Sequence, residues 1–164
     1  RRIINFANQN MPKASDRIIY VQGSFDLLHH GHLKRLQLAK QEGDFMYVGI
    51  WDDQMVKYYR GDCYPVQSIQ ERVLQVLSSK YADDVVIGAP FILTKDLITS
   101  LNIKKVVTFS DSEEDNVKPE FSESDQFSIA REMGILTTLK VNDPFFDITT
   151  EKIALRVLQN MQEY

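Results

Sequence analysis

The sequence predicts an α/β fold in which five parallel strands form one sheet with helices on both faces. Two observations carry this expectation. Short β-branched runs alternate with helix-patterned segments along the chain, and such alternation implies parallel strands joined by right-handed crossovers. The 164 residues, with 43% hydrophobic content, suffice for one domain with a substantial core.

Residues 1–17 carry no apolar run and read as a linker or arm ahead of a domain over 18–164. Ile18-Ile19-Tyr20-Val21 is the first buried strand, and the turn from Gln22 to His29 follows it. A helix begins near His30 or Gly31 and runs to about Gln41, with Leu33, Leu36 and Ala39 on its apolar face. Residues 45–50 form the second strand, and Asp52 and Asp53 start a short helix that ends at the loop 60–65. Ser68 caps a helix with Ile69, Val73, Val76 and Leu77 facing the core. Residues 84–87 are a third strand, Thr94 caps a helix to about Leu101, and 105–108 are a fourth strand. Residues 110–124 are acidic, polar and without period, the pattern of a mobile loop. A helix over 125–133 ends at Gly134, residues 135–141 form the fifth strand, and Thr149 caps a last helix. Ile153, Val157, Leu158 and Met161 share one face of that helix. This is a Rossmann-like arrangement, and ligands in such sheets sit beyond the carboxyl ends of the strands.

Bulk properties narrow the function. The net charge is −4 and the pI is about 5.4, so no basic surface for nucleic acid is expected. A phosphate ligand must then be held by local geometry. Cys63 is the single cysteine, which fits a reducing, cytoplasmic setting. No apolar run approaches the ~18 residues of a membrane span. The chain starts without methionine and reads as part of a longer one.

The segment from Gly23 to His32, Gly-Ser-Phe-Asp-Leu-Leu-His-His-Gly-His, holds all three histidines of the chain. A helix N-terminus offers unpaired N–H groups and a positive dipole end to phosphate. Gly23 and Gly31 permit close backbone approach. His29 and His32 can donate hydrogen bonds to oxygens that gain charge in phosphoryl transfer, whereas His30 is expected to point away. Two plainer roles remain open on residue chemistry alone: turn histidines, or a metal site lacking a matching ligand set. No metal ligands are assigned.

Gly-x-Phe-Asp-x-x-His-x-Gly-His after a first strand resembles the signature of the cytidylyltransferases, and the resemblance covers nearly the whole chain. Residues 2–6 resemble the segment that joins the two repeats of those that act on phosphoethanolamine, and the run Lys80-Tyr81-Ala82-Asp83-Asp84-Val85-Val86-Ile87-Gly88-Ala89-Pro90 and Tyr64-Pro65 with Glu71-Arg72 resemble their second repeat. The resemblance implies a nucleotidyltransferase-type fold and a reaction of CTP with phosphoethanolamine to CDP-ethanolamine and pyrophosphate, on the route to phosphatidylethanolamine. It implies magnesium travelling with CTP and a preceding repeat as partner, and it leaves a homodimer open. It puts Gly23, Ser24, Phe25 and Gly31 at the nucleotide, with His29 and His32 on the triphosphate. Arg60 falls where relatives place a lysine, to pair with phosphate or to sit solvated in a loop. Asp26 either lines the substrate pocket or braces the turn. Phe91 either borders an amino-alcohol pocket or packs in the core. Arg72 is expected to pair within the fold or to orient the loop.

Two departures stand out. Phe109-Ser110-Asp111 replaces a histidine-bearing segment after the fourth strand, leaving Asp111 as the acid on the pocket side. Residues 144–150, Pro-Phe-Phe-Asp-Ile-Thr-Thr, retain Thr149 and Thr150 for phosphate but lack the arginine and glycine of fully active relatives. The alternative implied is a weak or inactive repeat that binds nucleotide or supports a catalytic neighbour.

Overall fold

The computed structural model describes residues 11–110, 126–141 and 148–161. Its elements in chain order are β1 (Ile18–Gly23), α1 (His30–Lys40), β2 (Phe45–Ile50), α2 (Asp53–Arg60), α3 (Ile69–Ser78) and β3 (Asp84–Ile87). They continue with α4 (Lys95–Ser100), β4 (Lys105–Phe109), α5 (Ser128–Glu132), β5 (Leu136–Leu139) and α6 (Thr150–Met161). The five strands form one sheet in the order β3-β2-β1-β4-β5, and every pairing is parallel. The expected architecture is therefore the observed one.

Alternation along β1 splits the core between the two faces. Ile19 and Val21 pack with Leu36 and Ala39 of α1 and Val73 and Val76 of α3. Ile18 and Tyr20 pack on the other face with Ile98 of α4 and Ala130 of α5. A third cluster joins Trp51, Val56, Tyr59, Ala89 and Phe91 beside the ends of β2 and β3.

The predicted caps form. Asp52 accepts from the Met55 N–H at 2.7 Å, and Thr94 from Leu97 at 3.2 Å. Thr149 accepts from Lys152 at 3.1 Å. The Ser68 N–H donates to Glu71 at 2.8 Å, half of a capping box. Gly134 has φ +67°, the left-handed residue that closes α5.

Two differences concern strand ends. β1 runs two residues past Val21, because Gln22 and Gly23 pair with Gly49 and Ile50 of β2. Buried Gln22 tolerates this because its amide donates to the Phe91 carbonyl at 2.7 Å and accepts from the Tyr20 hydroxyl at 3.0 Å. β5 is shorter than its apolar run, at Leu136–Leu139. The apolar face read for α6 is largely open: Val157, Leu158 and Met161 are 54%, 60% and 70% exposed.

Candidate nucleotide-binding site

The site grows from the turn between β1 and α1. Phe25 and Leu27 sit at φ +50° and +47°, a left-handed backbone that side chains adopt at a cost. Surrounding side chains hold the turn there. Gln67 accepts from the Leu27 N–H at 2.9 Å, and Gln75 from Leu28 at 3.3 Å. Asp26 is fully buried, and its oxygens accept from the Val66 and Gln67 amides at 2.8 and 3.0 Å. Of the two roles open to Asp26, the brace is the one observed; its carboxylate ties the turn to the segment before α3 rather than facing a substrate pocket.

Arg72 is the hub beneath this turn. It is 0% exposed. Its guanidinium donates to the Gln67, Ser24 and Trp51 carbonyls at 3.2, 2.5 and 2.8 Å and to Asp53 at 2.6 Å. One cation thereby joins the ends of β1 and β2 to α3. The Thr150 hydroxyl donates to the Asp26 carbonyl at 3.0 Å. Thr150 thus fastens α6 to the turn, while the Thr149 hydroxyl accepts from its own helix as the cap. Phe91 is 4% exposed, with ring centroids 5.1 Å from Trp51 and 4.7 Å from Tyr59. Its ring belongs to the aromatic core cluster. Asp111 lies outside the described residues.

The histidines meet as expected. His29 caps α1: its Nδ1 accepts from the Gly31 N–H at 3.2 Å. In the neutral ring the hydrogen then belongs to Nε2, which is left to donate outward. A Cβ on Gly31 would meet the His29 ring at 3.0–3.1 Å, so glycine admits the imidazole over the helix end. His29 and His32 stack with centroids 4.0 Å apart, and Phe25 lies 5.6 Å from His32. Burial, then the charges of Arg35 and Arg60, push the His29 pKa down to about 4. Burial, then His29 and the same two arginines, hold His32 well below its ordinary value. Both rings are therefore neutral hydrogen-bond donors at neutral pH. His30 is exposed, as expected. Arg60 ends α2, with its guanidinium 5.4 Å from the Tyr64 ring centroid. The Ser24 hydroxyl is buried without a hydrogen-bond partner.

A pocket opens at the carboxyl ends of β1 and β4, lined in part by Gly23, Phe25, His32, Arg35, Thr108 and Phe109. Arg35 went unnoticed in the sequence. The available signal was helical spacing, since a residue three past His32 shares its face.

A parallel α/β sheet with a braced turn after β1 and two neutral histidines at the N-terminus of the next helix defines a nucleotidyltransferase domain. The family model described as cytidylyltransferase-like matches residues 20–154, and the chain belongs to that family. It is 40% identical over its whole length to ethanolamine-phosphate cytidylyltransferase of Dictyostelium discoideum and covers 44% of that protein. The Arabidopsis thaliana protein of the same name is 41% identical over the whole chain, which covers 38% of it. The Mus musculus one is 34% identical, with 39% covered. The chain thus spans less than half the length of these relatives. Among solved structures, a lipopolysaccharide core biosynthesis protein from Thermoplasma volcanium shares the fold. Its TM-score is 0.58 at 19% identity, over 78% of this chain and 98% of that one. Among the described residues, no helix is long and apolar enough to cross a membrane.

Proposed function

We propose that this chain binds CTP at the turn between β1 and α1 and serves the transfer of its cytidylyl group to phosphoethanolamine. The observation that carries this is the pair of neutral, stacked histidines on the α1 N-terminus, in a chain similar over its whole length to ethanolamine-phosphate cytidylyltransferases. A phosphoethanolamine oxygen attacks the α-phosphorus of CTP. The new P–O bond forms as the bond to the bridging oxygen breaks, and pyrophosphate leaves. Such transfer needs positioning and charge stabilisation more than covalent help. His29 and His32 would donate to oxygens that gain charge. Among the described residues no three His, Cys, Asp or Glu side chains gather as a metal site. Magnesium would enter as part of the metal–nucleotide substrate.

A second reading is a weak or inactive repeat that binds nucleotide or supports a catalytic neighbour. Two observations favour it: residues 144–150 hold no arginine, and the Thr150 O–H is donated to the Asp26 carbonyl within the fold. Calorimetric titration with CTP, CMP and CDP-ethanolamine, followed by turnover assays with and without His29→Ala, separates the two. CTP binding with turnover lost in the variant supports the enzyme. CTP binding without turnover supports the second reading, and no nucleotide binding sinks the enzymatic one.

A further inference from the structure

Of the residues assigned from sequence, Arg60 is the one cation offered to an anionic ligand. The chain is acidic overall, and the two stacked histidines are neutral donors. Residues 144–150 supply no cation. Arg35 changes this balance. It lies on α1 three residues after His32, on the same helix face. It lines the cavity that His32, Gly23 and Phe25 also line. Its guanidinium carbon stands 5.8 Å from the Phe109 ring centroid, which holds the group at the end of β4. Its charge reaches both His29 and His32, as does that of Arg60 from α2.

We propose that Arg35 is a polyphosphate-binding residue, engaging phosphate oxygens of the nucleoside triphosphate beside His29 and His32. The proposal rests on the nucleotide reading above and adds to it a further source of charge. A planar guanidinium can present two N–H groups to one phosphate, which a lysine cannot. Phe109 gains a role too. Where the resemblance led to a histidine, the ring instead supports the arginine.

The test is calorimetry of the chain with CTP and with cytidine, repeated for Arg35→Gln. CTP affinity falls about tenfold or more in the variant, as for a lost charge-assisted hydrogen bond, while cytidine binding is unchanged. The slope of log affinity for CTP against log salt becomes shallower. A second readout needs no folding of that variant: CTP shifts the Arg35 Nε–H resonance of the unaltered chain, and cytidine does not. Equal CTP affinity in a folded Arg35→Gln chain overturns the proposal, as does equal loss of CTP and cytidine, which marks a packing role. An unmoved Arg35 resonance at saturating CTP also overturns it. In each of these cases the nucleotide reading survives. A chain that binds no CTP at all ends both.

Discussion

At the scale of single residues, the site depends on where one proton sits. The Gly31 N–H occupies His29 Nδ1, so the neutral ring donates from Nε2. Its pKa is held near 4 against an ordinary 6.5. Below pH 6.5 the unfolded chain takes up a proton that the folded chain refuses, so stability falls as pH drops from 6.5 toward 4 and is level above. Urea midpoints measured across that window should show this fall, and His29→Asn, which cannot titrate, should make it shallower, with His32 keeping its own share. Gly31→Ala gives a complementary test. Alanine favours the helix backbone by up to about 1 kcal/mol, yet its Cβ meets the His29 ring. The expected outcome is near-unchanged thermal stability with CTP affinity lowered severalfold; unaltered affinity would show that the ring has room to move. The histidine cluster was legible in the sequence because spacing alone brings 29 and 32 together at a helix start. Arg35 was not, since a helical arginine reads as a solvated surface residue until its neighbours are known.

At the scale of elements, the turn after β1 is held by partners far away in sequence. Asp26 reaches residues 66 and 67, and Arg72 reaches Ser24, Trp51 and Asp53. Arg72→Met should cost about 3 kcal/mol or more in urea unfolding, because buried carbonyls at Ser24 and Trp51 lose their donor. A cost below about 1 kcal/mol would mean that water replaces the guanidinium. Strands, helices and caps were readable because they are local: Ile18 to Val21 is β-branched, and Asp52, Thr94 and Thr149 precede helical runs. The role of Asp26 was not readable. A motif carboxylate can face a ligand or a backbone amide, and only the path of the α2–α3 connection decides between them. Phe91 is a parallel case, since an aromatic side chain suits a core and a pocket equally well.

At the scale of the whole molecule, α6 leaves an apolar face open. Its amphipathic pattern was correctly read as a helix, but the pattern says only that one face is apolar, not what covers it. Leu155 and Leu158 are more than half exposed. Replacing Leu158 with glutamate should therefore change the stability of the chain by no more than about 0.5 kcal/mol, as read by thermal unfolding. A loss of 2 kcal/mol or more would place that face within the core. The sheet behaves differently: its parallel pairing follows from strand–helix alternation, while the order β3-β2-β1-β4-β5, which the structure shows, brings the ends of β1 and β4 together around one pocket. The central claim is that this end of the sheet holds nucleotide phosphates. It is tested most directly by following backbone amide resonances during titration with CTP. The account predicts saturable shifts centred on Gly23, Ser24 and the Gly31–His32 helix start, weak with cytidine and lost in His29→Ala. Shifts absent from those amides, or equally large with cytidine, would contradict it.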